Sequence, residues 1–213
     1  YLTRKLGVAF IRGLQGDHPQ YLKVAACAKH YAVHSGPETL RHEFDAVVSK
    51  KDLRETYLPA FRDAVKEAKV EAVMGAYNRV NGEPACASKT LLEDILRKEW
   101  GFEGHVVSDC GAIQDIHENH KLTSTPEESA ALAVNNGCDL NCGWVYEHLK
   151  TAVKEGLISE ETINKSVARL MKTRIKLGMF DPPEVVPFAN IPYEINDCEE
   201  HRQLALETAR KTM

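Results

Sequence analysis

Apolar side chains recur at Leu2, Leu6, Phe10 and Leu14, the spacing of one helical face, and Gly16 follows, so residues 2–15 are predicted to form a helix. Residues 24–33 (VAACAKHYAV) are a compact apolar run interrupted by a polar pair and read as a buried strand running into a loop. Ser49 with Asp52 resembles a capping box opening a helix to about Lys69, with Leu53, Tyr57, Phe61, Val65 and Ala68 on one face and a kink expected at Pro59. Residues 71–77 (EAVMGAY) read as the next strand, and residues 78–84 (NRVNGEP) as a loop. Ser88 is placed to cap a helix through Trp100, which Gly101 stops. Residues 105–109 (HVVSD) form a short apolar strand ending in an acid. Thr125, Pro126 and Glu128 mark a helix start whose end is expected at Asn136-Gly137. Residues 138–141 (CDLN) read as a short strand, followed by helices at about 145–155 and, capped by Ser159, 160–177.

Strands alternating with helices at this spacing imply a parallel sheet with crossover helices, either a barrel or an open doubly wound sheet. Neither GxGxxG nor GxxxxGK[ST] is present, which removes the two common phosphate cradles and favours the barrel. A complete eightfold barrel takes roughly 250 residues. The expectation is an α/β chain in which residues 1–180 are the later part of a (β/α)8 TIM-type barrel, with its earlier strands outside the 213 residues. Residues 181–197, with prolines at 182, 183, 187 and 192, read as a linker, and residues 198–213 as the first helix of a following domain. A chain opening at Tyr1 rather than Met reads as a piece of a longer protein.

Composition narrows the class. Hydrophobic residues make up 43% and charged residues 27%, an ordinary globular balance. The formal charge of −4 gives no global attraction to nucleic acid. No run of roughly 18 apolar residues suggests a membrane span. Cysteines stand at 27, 86, 110, 138, 142 and 198. They are too sparse for a disulfide-dense scaffold and lack zinc-ligand spacing. They read as buried or free thiols, which points to a cytoplasmic protein.

In parallel barrels the chemistry gathers at the carboxyl ends of the strands. The residues there are Lys29-His30, Met74 with Tyr77, Asp109, and Asp139 with Asn141. Asp109 is the sharpest: a carboxylate closing a buried strand is costly unless it is paired or used. Capping the next helix would also account for it. Lys29 and His30 interrupt an apolar run and, in a regular strand, would point to opposite faces. His34, Arg41, His42 and Glu43 share the long loop that follows.

These segments resemble glycoside hydrolase family 3, the β-glucosidase and β-xylosidase family. The resemblance runs through LGVAFIRGLQG (6–16), AKHYAVHSGPETLRHEFDAVVSKKDLRETYLPAF (28–61), VMGAYNRVNGEPACAS (73–88) and LRKEWGFEGHVVSDCGAI (96–113). It implies a (β/α)8 barrel followed by an α/β sandwich domain, and retaining hydrolysis of terminal β-D-glucosyl or β-D-xylosyl residues without metal or organic cofactor. By the same resemblance Asp109 is the nucleophile. Lys29 and His30 hold sugar hydroxyls, Met74 and Tyr77 contact the same sugar, and Arg41 falls on a loop arginine. The acid/base belongs to the following domain and so lies outside this chain, and the 213 residues alone are expected to be inactive. Ser108-Asp109-Cys110 stands where many β-glucosidases carry Ser-Asp-Trp, which leans the expected substrate towards xylosides.

Three other readings compete. Bacterial β-N-acetylhexosaminidases of the family carry KHFPGHG, whose second histidine falls on His34, but Ala32 and Val33 replace its Pro and Gly and no Asp-x-His follows. A non-catalytic carbohydrate-binding barrel would not need Asp109. A metal-assisted hydrolase would require His30, His34, Asp109 and Asp139 to converge on one ion.

Overall fold

The computed structural model describes residues 1–34 and 36–213. Helix α1 (Leu2–Gln15) leads into strand β1 (Cys27–Tyr31). A loop then carries a short β2 (Asp45–Ala46). The helix expected from Ser49 is present in three pieces: one turn, α2 (Lys50–Asp52), a wider π-type stretch over Leu53–Tyr57, and α3 (Pro59–Lys66). Ser49 Oγ accepts from the Asp52 amide at 3.0 Å, and Pro59 opens α3, where its missing N–H costs nothing. Next come β3 (Ala72–Gly75), a ribbon of β4 (Arg79–Val80) and β5 (Glu83–Pro84), a π-type helix over Lys89–Glu99, and β6 (His105–Ser108). The remaining helices are α4 (Ala112–Glu118), α5 (Pro126–Asn135), α6 (Leu149–Lys154), α7 (Glu160–Lys176) and α8 (Glu199–Thr212). Ser88, Thr125 and Ser159 each accept the amide three residues on, as their positions in the sequence predict.

The main sheet is parallel in the order β1-β3-β6. Residues 138–141, expected to be a strand, contribute one parallel bridge, Leu140 to Val107, on the far side of β6. The Cys138–Leu140 backbone is held there by amides of Asp139 and Leu140 on Val106 O and by Ser108 N on Leu140 O. The two faces of the sheet differ. Val73 and Val106 are fully buried, whereas Cys27 and Lys29 are exposed and Met74 and Val107 half-buried. Residues alternate between faces along a strand, so helices cover one face and the side chains of the other stand open. The core under the helices gathers Tyr31, Leu58, Leu91, Leu92, Leu96, Ile113 and Ile116. Tyr31 sits wholly inside, its hydroxyl donating to Leu91 O at 3.0 Å.

Between Ala28 and Tyr31 the register of β1 on β3 breaks, so the alternation argument for Lys29 and His30 does not hold through that step. The Lys29–His30 and Tyr31–Ala32 peptide bonds are cis. Beyond α7, residues 179–198 form two short 3-10 turns, Pro183–Val185 and Tyr193–Ile195. Val186 is buried against Gly178, and Tyr21 donates to Asp181 at 3.0 Å.

Candidate active site

Asp109 follows the last residue of β6, and its amide donates to Gly75 O, the end of β3, at 3.1 Å. Gly75 itself packs tightly on Cys86, where a Cβ would lie 2.6 Å from Cys86 Sγ. The carboxylate is 15% exposed. One oxygen accepts the Cys110 amide at 2.9 Å, and the other lies 3.2 Å from His30 Nε2. Burial, more than any neighbouring charge, pushes the His30 imidazole below its ordinary pKa, while Asp109 pulls the other way. His30 is therefore neutral near pH 7, able to face the carboxylate with an N–H and leave its charge uncancelled.

Tyr77 lies across from this pair. Its hydroxyl donates to Cys110 O at 2.8 Å, and its pKa is raised by burial first and by the Asp109 charge second. The loop after β1 closes over its ring, with the Arg41 guanidinium 5.5 Å from the ring centre and His42 crossing it edge-on at 4.7 Å. His34 is 4.5 Å from the His30 ring. Of the expected site residues, the structure thus brings together His30, Tyr77, Asp109 and Arg41. Lys29 is exposed at the same strand end, and Met74 faces the open side of the sheet.

Two expectations are corrected. Cys110 and Cys142 were expected as thiols; they form a disulfide, with a Cα separation of 4.4 Å. Gly111 N donates to Cys142 O and Cys142 N donates to Ser108 Oγ, so two neighbouring strand ends converge there and bring together cysteines 32 residues apart. Asp139 does not join the site. It is buried, its oxygens held by Arg97 at 2.7 Å, Arg169 at 2.8 Å and the Val106 amide at 2.9 Å. With both oxygens committed to arginines, Asp139 does not converge with His30, His34 and Asp109 on one point.

Sequence reasoning missed Asp115. It lies buried on α4 and takes His42 Nδ1 at 2.8 Å and Asn119 Nδ2 at 2.6 Å, fixing the imidazole that packs on Tyr77. Nothing in the helical pattern of residues 112–118 marks one acid as buried; only the loop folding over it does.

Residues 1–173 match the N-terminal domain of glycosyl hydrolase family 3. A xylan 1,4-beta-xylosidase of Xylanibacter ruminicola is 48% identical over 217 residues, covering 100% of this chain and 25% of its own length. A beta-xylosidase/alpha-L-arabinofuranosidase of Medicago sativa is 38% identical, over 99% of this chain and 28% of its own. Among solved structures, a family 3 exo-beta-xylosidase in complex with a xylobiose aziridine activity-based probe superposes with a TM-score of 0.84 at 35% identity, covering 88% of this chain and 25% of that one. The beta-glucosidase of Listeria innocua in complex with glucose gives 0.82 at 32% identity, over 94% and 28%. The chain spans about a quarter of the length of the curated relatives it matches.

Proposed function

The chain belongs to glycosyl hydrolase family 3, and from that premise we propose that the protein it forms part of releases terminal β-D-xylosyl residues by a retaining mechanism. The observation that carries this reading is the Asp109 carboxylate, partly open at the end of the parallel strand β6 and 3.2 Å from a neutral His30. A retaining glycosidase needs a carboxylate that stays charged and is free to attack the anomeric carbon. In the reading proposed here, Asp109 forms the glycosyl ester while a carboxylic acid supplied from outside this chain protonates the departing oxygen. That group then takes a proton from water, which cleaves the ester. The two groups need to lie about 5–5.5 Å apart. His30 and Lys29 hold hydroxyls of the bound sugar. Tyr77 steadies the Cys110 carbonyl beside the nucleophile, and Arg41 and His42 keep that ring in place. Met74 offers an apolar contact from the open face of β3. We read the three parallel strands as an arc of a (β/α)8 barrel whose interior is their open face.

Xylose rather than glucose is supported by the 48% identity to a xylan 1,4-beta-xylosidase over the whole chain and by Ser108-Asp109-Cys110 in place of Ser-Asp-Trp. The Cys110–Cys142 bridge favours an oxidising compartment, against the cytoplasmic placement that free thiols would suggest. The test is kcat/KM of the full-length protein on methyl β-D-xyloside against methyl β-D-glucoside. A preference of tenfold or more for the xyloside is expected; a preference for the glucoside would move the assignment to a β-glucosidase.

A further inference from the structure

Trp144 stands two residues beyond Cys142, whose disulfide partner Cys110 is the residue after Asp109. Two virtual bonds of 3.8 Å and the 4.4 Å Cα separation of the cysteines place its Cα within about 12 Å of the Cys110 Cα. It therefore lies on the same carboxyl-end rim as Asp109. Its neighbours turn inward: Val145 is 1% exposed, and the Tyr146 hydroxyl donates to Cys138 O at 2.6 Å. Trp144 turns outward and is 41% exposed, whereas the chain's other tryptophan, Trp100, is 6% exposed.

The exposed indole is held in one orientation. Its Nε1 donates to Gln114 Oε1 on α4 at 3.1 Å. His117 crosses it at 86° with ring centres 6.4 Å apart, and His148 at 66° and 5.2 Å. Both imidazoles are themselves fixed, His117 Nδ1 by Ser129 Oγ at 2.9 Å and His148 Nδ1 by Glu127 at 2.5 Å. A core needs no such frame around a residue left open to water. An aromatic ring fixed at a rim, with polar groups along its edges, is suited to a flat ligand with an apolar face and hydroxyls around its perimeter. A pyranose ring, with axial C–H bonds on its faces and equatorial hydroxyls at its edge, is such a ligand.

We infer that the open face of Trp144 is the platform for the sugar on the leaving-group side of the cleaved bond, which makes a β-linked xylo-oligosaccharide the preferred substrate rather than a xyloside of a small alcohol. This rests on the glycosidase reading above. The inner sugar occupies Asp109 and His30, and the next ring along the oligosaccharide lies against the indole, with His148, Glu127 and Gln114 at its edge. The contact is made before and during cleavage, so it acts on substrate capture as well as on the departing sugar.

The experiment compares full-length wild type, Trp144→Ala and Trp144→Phe on xylobiose and on methyl β-D-xyloside, which carries no leaving-group ring. The readout is the ratio of the two kcat/KM values. Burial of one ring face predicts that the ratio of xylobiose to methyl xyloside falls about tenfold in Trp144→Ala, chiefly through KM, and is largely restored in Trp144→Phe. A ratio unchanged in Trp144→Ala, or equal losses on both substrates, overturns the platform while leaving the glycosidase reading intact. Wild type that cleaves neither xyloside overturns the reading and the platform together.

Discussion

Half-buried and neutral, the His30 imidazole gives Asp109 an N–H without a compensating cation. His30→Ala is expected to lower kcat/KM on xylosides about 100-fold, the cost of one aimed donor, with the folded state retained by circular dichroism. Asp109→Asn removes the proposed nucleophile and is expected to lower kcat by about 10,000-fold or more. A second histidine affects stability rather than chemistry. His120 is 5% exposed beside Asp115 and Arg79, and burial pushes its pKa down to about 4. Above an unfolded pKa of about 6.5 it is neutral in both states and contributes no pH dependence. As the pH falls below that value the unfolded chain takes up a proton that the folded chain refuses until about 4. Stability is therefore lost across that window at roughly 1.4 kcal/mol per pH unit from this group. Tm measured from pH 7 to 4.5 should fall less steeply in His120→Phe than in wild type; parallel curves would show that another group sets the acid limb. At this scale the sequence was informative where a polar residue closed an apolar run, as at Asp109 and His30. It was silent on Asp115 and His120, whose burial depends on a loop that folds over them.

Strands and helices were both legible as elements, apart from residues 138–141, which make one bridge rather than a strand. The runs around Ala28, Val73 and Val106 are dense and short, and the caps at Ser49, Ser88, Thr125 and Ser159 are each satisfied as their spacing implies. What was not legible is what holds one strand end to the next. Asp139, conspicuous at a strand end, joins Arg97 and Arg169, from a helix 42 residues before it and one 30 residues after it. Its carboxylate also takes the Val106 amide and so ties β6 to the following segment. Asp139→Ala strands two arginines, one of them 9% exposed at its side chain, and should destabilise the fold by about 3–5 kcal/mol, read as a drop in urea midpoint. The disulfide was equally hidden, because its cysteines are far apart in sequence and meet only once β6 and residues 138–142 lie side by side. Closing a loop of 32 residues, it is expected to contribute about 3–4 kcal/mol. Adding reductant should therefore lower the Tm of wild type to that of Cys110→Ser/Cys142→Ser and leave the double variant unmoved.

At the scale of the whole molecule, the open face of the β1-β3-β6 sheet bears Lys29 and Met74, while the closed face is covered by helices. Apolar residues of α1 also remain uncovered: Leu2, Leu6 and Phe10 are each at least 60% exposed. Sequence order and alternation were enough to show a parallel α/β chain, but not how the loop after β1 folds back, because its charged residues carry no periodicity. That loop brings Arg41 and His42 onto Tyr77, and with them the site acquires its wall. The proposed role of Asp109 as nucleophile is open to one decisive measurement on the full-length protein. It would be incubated with a 2-deoxy-2-fluoro β-xyloside bearing a good leaving group, digested, and mapped by mass spectrometry. A fluoroxylosyl adduct on Asp109 is predicted, forming with loss of activity. An adduct on a different carboxylate, or full inactivation with Asp109 unmodified, would contradict the assignment.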